Sequence, residues 1–222
     1  MNSTMKARLT EIAKRHLAIA AVAIWLTVNT CGVTALVMYS RLTGDTGAAL
    51  RELPADLQDD DPDKRFRLLM FVHPHCPCSH ASLAQLMRIH ARAQPDLAME
   101  IVFYHPADKT SAWAKTSLWR SARAIPDVRI SYDPDGRTAG RFGAKTSGHV
   151  VLYSTDGGLV FNGGITSARG HEGGNQGTTA VIERLRRYDS TREICPVFGC
   201  PLQSDLQAQA VPTSVQICGA VP

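Results

Sequence analysis

The chain has 222 residues, with 24 Lys+Arg, 20 Asp+Glu, 6 Cys and 44% hydrophobic residues. That apolar content is enough to bury a core, which excludes a globally disordered chain, and no fixed period supports a collagen-like, coiled-coil or repeat architecture. The net charge is only +4, and Lys6, Arg8, Lys14 and Arg15 against Glu11 concentrate it at the N-terminus, so no basic face remains to recruit nucleic acid.

Residues 17–38 carry no charge. At about 1.5 Å per residue the stretch is long enough to cross a hydrocarbon core of roughly 30 Å. Thr27, Asn29, Thr30 and Thr34 interrupt it. Threonine hydroxyls return to carbonyls of the preceding turn, which leaves Asn29 as the costly residue. Four basic residues precede the stretch, and only Arg41 and Arg51 follow closely. This asymmetry orients 1–16 to the cytoplasm and the rest outward. A cleaved signal peptide competes with an anchor. However, the stretch exceeds an h-region of roughly 7–15 residues, and no small-x-small site follows. Val28-Asn29-Thr30-Cys31 is also a poor lipoprotein cleavage site. The expectation is a single-pass anchor in the inner membrane, with a periplasmic main domain. Residues 39–64 read as a solvated linker, broken by Gly44, Gly47 and Pro54 and ending in the acidic run 59–63.

From residue 65 strands and helices alternate. The run 67–73 is a short continuous apolar strand, as in a sheet buried on both faces. Residues 79–93 place Leu83, Leu86, Met87 and His90 at helical spacing. Strand 97–104, helix 111–124, strand 128–132 and a short helix 138–142 follow. Strands 149–154 and 159–162 flank Thr155-Asp156-Gly157-Gly158, a hairpin signal. A last helix covers 178–188. The fold class is α/β, a mixed sheet with helices on both faces over 65–190, followed by a Cys-containing tail, 191–222.

The chemistry is concentrated at His73-Pro74-His75-Cys76-Pro77-Cys78-Ser79-His80, where a strand ends and a helix begins. A helix N-terminus presents free N–H groups and partial positive charge, which favour thiolate. Imidazolium from His75 or His80 would add to this. This arrangement resembles the thioredoxin superfamily. Three pieces, FVHPHCPCSHASL, GGITSARGHEGGNQG and CPVFGCPL, resemble its RedB-like membrane-anchored bacterial members. The resemblance implies a three-layer thioredoxin-like fold and thiol–disulfide redox chemistry with a protein or small-molecule thiol or disulfide partner. It also marks three departures. Ser79 stands where the family's second cysteine belongs, Gly148 where its cis-proline belongs, and Met70 where its buried acid belongs. Cys76 is the expected nucleophile, with Cys78 as partner and His75, Ser79 and Gly148 in support. Cys78, with Cys76, would close a strained Cys-x-Cys ring. Monothiol action by Cys76, or resolution by Cys195 or Cys200, stays open. His73 replaces the threonine a peroxiredoxin would place there.

No cofactor is needed for exchange. The alternative is a copper or zinc site from His73, His75, Cys76, Cys78 and His80, since thiolate and imidazole suit both metals. The third reading is a non-catalytic binding module. Elsewhere, the glycine-rich 163–177, with Arg169, His171, Glu172 and Asn175, is either a site-lining or a mobile loop. Cys195 and Cys200 most simply form a structural disulfide in an exported domain, with a second redox pair as the sharper option. Cys218 is then left over, and Cys31 is inert in the anchor. Phe103, Trp113 and Trp119 read as core, and His90 as a core or boundary residue. His105 and His149 lie at strand ends near the motif.

Overall fold

The computed structural model describes residues 3–58, 66–93, 97–187 and 192–203. The acidic run 59–63 and Cys218 lie outside the described residues. The chain divides into two units, Met1–Ser40 and Arg41–Pro222.

The first unit is helix α1, Ser3–Ser40. Within it, Glu11–Ser40 is long and apolar enough to cross a membrane, with a mean hydropathy of 1.8. Three of its polar side chains are satisfied locally. Thr27 and Thr30 hydroxyls donate to the carbonyls of Ala23 and Leu26, and Asn29 Nδ2 donates to Trp25 O at 2.7 Å. The cost expected at Asn29 is therefore partly offset inside the helix.

The second unit is built on a six-stranded sheet ordered β3-β2-β1-β4-β5-β6. The strands are β1 Phe66–Val72, β2 Leu97–His105, β3 Val128–Pro134, β4 His149–Tyr153, β5 Leu159–Gly164 and β6 Glu193–Cys195. Strands β1, β2 and β3 are parallel, β4 is antiparallel to both β1 and β5, and β6 is parallel to β5. All seven residues of β1 are buried. Its alternate side chains feed two cores. Phe66, Leu68, Met70 and Val72 join Leu83, Leu86 and Ile89 of α3 (Ser79–Ala93) and Val181 of α7 (Gln176–Arg187). Leu69 and Phe71 join Phe142, Tyr153 and Ala139 of α6 (Arg137–Arg141) on the other face. A strand buried on both faces must be apolar at both parities, hence the continuous run.

Three expectations need correction. Residues 41–58 are not a free spacer. They carry the short helix α2 (Ala55–Gln58) and lie along the domain. Leu53 is buried in the second core, its N–H donates to Gly157 O, and Leu159 N–H donates to Arg51 O. The helix expected over 111–124 is two pieces, α4 (Ser111–Ala114) and α5 (Ser117–Arg123). The break falls at Thr116, whose hydroxyl donates to Pro74 O at 2.9 Å. This tertiary bond ties the helix pair to the cysteine motif. The start of the tail is not a loose appendage either. Cys195, Val197, Phe198 and Leu202 are buried.

Candidate thiol site

Cys76 sits in the turn between β1 and α3. Its N–H donates to His73 O, and its carbonyl accepts from Ser79 N–H at 3.2 Å. The strand carries the chain to the end of the sheet, Pro74 and Pro77 stiffen the turn, and the amphipathic α3 locks it down through the core. The turn before β4 meets it from across the sheet. Gly148 N–H donates to Phe71 O at 2.8 Å, and Ser147 is fully buried beside the motif. His73 N–H donates to Ser147 Oγ at 2.7 Å, and Ser147 Oγ shares a second hydrogen bond of 2.7 Å with Ser79 Oγ.

A third segment closes the site. Residues 197–202 run antiparallel to 145–147. Ser147 N–H donates to Cys200 O at 2.8 Å, Leu202 N–H donates to Lys145 O at 2.9 Å, and Thr146 bridges Pro201. Gly199 permits this approach, since a Cβ there would lie 2.0 Å from Ser147 O. The result is that Cys200 N–H points at Cys76 Sγ, 3.5 Å away. The sulfurs of Cys76, Cys78 and Cys200 all lie within 4.8 Å of one another.

The charge on this trio belongs to Cys76. The Cys200 thiol, the Ser79 hydroxyl, the Cys200 N–H and the Ser147 hydroxyl all stabilise its thiolate, and together they overcome burial and pull the pKa down to about 4. Cys78 is pushed up by burial and by the neighbouring Cys76 charge. The Cys200 thiol is pushed up because it donates to Cys76 and is itself partly buried. Arg169 opposes both rises, so the glycine-rich segment does bring one cation to the thiols. That segment is held in place. Gln85 Nε2 of α3 donates to Glu172 O and Gly173 O, and Asn175 Oδ1 accepts from Thr178 N–H.

The structure brings together Cys76, Cys78 and Ser79 of the expected set, with Gly148 in the adjoining turn. It does not assemble the five-ligand metal set. His73 stacks on Tyr104, His75 packs against Trp113 and His80 Nε2 shares a hydrogen bond with Ser117 Oγ. Burial also lowers the His73 pKa, so it supplies no imidazolium. The Cys195–Cys200 disulfide does not form, because Cys195 is in a disulfide while Cys200 is a free thiol. The reason is geometric: β6 carries Cys195 along β5, and the chain then turns to lay Cys200 on Cys76. Trp113 is not core but lines the site beside His73, His75 and Tyr104. His149 is buried under the site, bonded to Asn162 Oδ1. Sequence reasoning missed Ser147. Its one signal was its place next to the glycine that stands at the cis-proline position.

No family model matches this chain, and no curated protein matches it. Solved structures do. An uncharacterized conserved protein from Geobacillus kaustophilus aligns with a TM-score of 0.54 at 16% identity, over 76% of this chain and 95% of that one. A secreted Mycobacterium tuberculosis disulfide oxidoreductase, described as homologous to E. coli DsbE, aligns at 18% identity and TM-score 0.40 over 66% and 97%. The exposed lipoprotein thioredoxin Etrx1 of Streptococcus pneumoniae aligns at 18% and 0.43 over 63% and 99%. The likeness is one of fold. By its own topology, parallel β1, β2 and β3 followed by antiparallel β4 and β5 in a mixed sheet with helices, the second unit has a thioredoxin-like fold, and in the sequence it follows an N-terminal apolar helix long enough to span a membrane.

Proposed function

We propose that this protein is a thiol–disulfide oxidoreductase of the RedB-like kind, anchored in the inner membrane by α1 with its domain in the periplasm. The observation that carries the reading is the set of hydrogen bonds converging on Cys76, which hold it as a thiolate at neutral pH. An ordinary thiol, with a pKa near 8.5, is only a few per cent thiolate there. In the proposed reaction, Cys76 Sγ attacks one sulfur of a substrate disulfide and expels the other as thiolate. A neighbouring thiol then attacks Cys76 Sγ and releases the second product. Cys78 and Cys200 are both placed for that second step. Ser79, in the position of the missing second cysteine, serves as a donor rather than a resolver. Gly148 shapes the turn that presents Ser147.

The test uses the reduced full chain in detergent with a disulfide-bonded peptide substrate. The wild type is expected to exchange, and its Cys76 thiolate absorbance is expected to titrate near pH 4. Cys76→Ser is expected to fall to the uncatalysed rate. Undiminished exchange in that variant, or a Cys76 midpoint above pH 8, overturns the assignment.

A second reading is favoured by the three sulfurs lying within 4.8 Å of one another. Three thiolates suit a soft ion such as Cu(I), or Zn(II) with one further ligand. Cys76, Cys78 and Cys200 would hold it, not the histidines. Stoichiometric metal that survives His75→Ala and is lost with Cys200→Ser would establish this reading.

A further inference from the structure

The two candidate resolving thiols are not equivalent. Cys78 shares a tight turn with Cys76, separated only by Pro77, so their disulfide would close a small, strained ring. Cys200 comes from a separate stretch of chain that is already docked. Its N–H sits on Cys76 Sγ, its carbonyl accepts from Ser147 N–H, and its neighbours Thr146–Pro201 and Lys145–Leu202 complete a short antiparallel ladder. Cys76 itself is only 2% exposed, whereas Cys200 and Cys78 are half-buried. Substrate can reach the buried sulfur only when the covering segment lifts, and the same segment returns a thiol when it settles.

We propose that Cys200 is the resolving cysteine, carried on and off Cys76 by the segment 197–202, which is the chain's own occupant of the groove beside 145–147. This rests on Cys76 being the nucleophile. In the first step Cys76 thiolate and substrate R–S–S–R′ give the Cys76–S–S–R mixed disulfide and R′S⁻. In the second, Cys200 S–H attacks Cys76 Sγ and its proton passes to the departing RS⁻. The substrate is reduced by two electrons, and Cys76–Cys200 is oxidised to a disulfide. Gly199 is what lets the segment settle, since any side chain there meets the Ser147 carbonyl.

The experiment uses the reduced full chain in detergent with Cys31→Ser to silence the anchor thiol. It is mixed at pH 7 with 5,5′-dithiobis(2-nitrobenzoate), quenched in acid at intervals and peptide-mapped. The background protein is expected to show a transient aryl adduct on Cys76 that becomes a Cys76–Cys200 cross-link. Cys200→Ser is expected to hold the adduct about tenfold longer or more, because the positioned second thiol is gone. Cys78→Ser is expected still to yield the Cys76–Cys200 cross-link. Gly199→Val keeps the Cys200 thiol but displaces its carrier, and is expected to hold the adduct as Cys200→Ser does. A Cys76–Cys78 cross-link in the background protein, with prompt clearance in Cys200→Ser, overturns the proposal. Prompt clearance in Gly199→Val overturns the role of the segment. Absence of any adduct on Cys76 overturns the nucleophile reading instead.

Discussion

With no cation between them, three thiols within 4.8 Å of one another cannot all ionise, and the donors decide which one does. Two serine hydroxyls, one backbone N–H and one S–H converge on Cys76. No comparable set serves Cys78 or Cys200, so the negative charge settles on Cys76 and raises its neighbours. A buried imidazole under the same turn shows the opposite response to its surroundings. His149 Nε2 bonds Asn162 Oδ1, while Nδ1 has no partner. Burial lowers its pKa to about 4, against smaller upward pulls from Asn162 and the charge of Asp45. The folded ring is thus neutral where an unfolded one takes a proton. Between pH 6.5 and 4 the unfolded chain binds more protons, so stability must fall as pH falls through that window. At 1.36 kcal/mol per unit this costs about 3 kcal/mol by pH 4. Cys76, held as a thiolate down to about pH 4, adds a slope of the same sign, so denaturant midpoints compared from pH 7 to 4 should fall more steeply in the wild type than in His149→Leu, which keeps only the Cys76 share. Equal slopes would mean that His149 does not carry the effect.

At the scale of elements, the turn before β4 is the joint that assembles the site. Gly148 has φ of +92°, donates its N–H to β1 and would place a Cβ 2.8 Å from Ser82 Oγ of α3. Gly148→Ala should therefore destabilise the domain by about 2 kcal/mol through backbone strain. That corresponds to roughly 4–8 °C in the thermal midpoint for a domain of this size, followed by circular dichroism of the full chain. An unchanged midpoint would show that the turn relaxes freely. The same turn explains what was legible beforehand. Strand β1 and helix α3 follow from local pattern, a continuous apolar run and a 3.6-residue period, so Cys76 and Ser79 could be placed at their junction from sequence. Ser147 and Cys200 could not. They reach Ser79 and Cys76 across 68 and 124 residues of sequence. What brings them there is backbone pairing and a glycine contact, neither of which leaves a periodic trace. Strand β6 escaped notice because it has only 3 residues, too few to show alternation. The interruption of helix 111–124 left no local signal either; it falls at Thr116, whose hydroxyl bonds Pro74 O in another element.

For the whole molecule, the physical question is which solvent each unit meets. Helix α1 satisfies its backbone internally, and Thr27, Asn29 and Thr30 donate to its own carbonyls, which is what a hydrocarbon surrounding demands. Its basic residues lie on the N-terminal side, the arrangement retained by the cytoplasm. The second unit holds Cys195 in a disulfide, a bond that persists in oxidising compartments and rarely in the cytosol. The topology proposed above can be measured directly. Expressed with a C-terminal tag in a bacterium with two membranes, the full-length chain should stay in the membrane pellet after carbonate washing. External protease should then remove the tag from spheroplasts and not from intact cells. A shortened chain beginning beyond Met38 and released with the periplasmic fraction would make the apolar stretch a cleaved leader. A tag protected until the spheroplasts are lysed would reverse the orientation, and the site would then face a reducing cytosol in which its three thiols stay reduced.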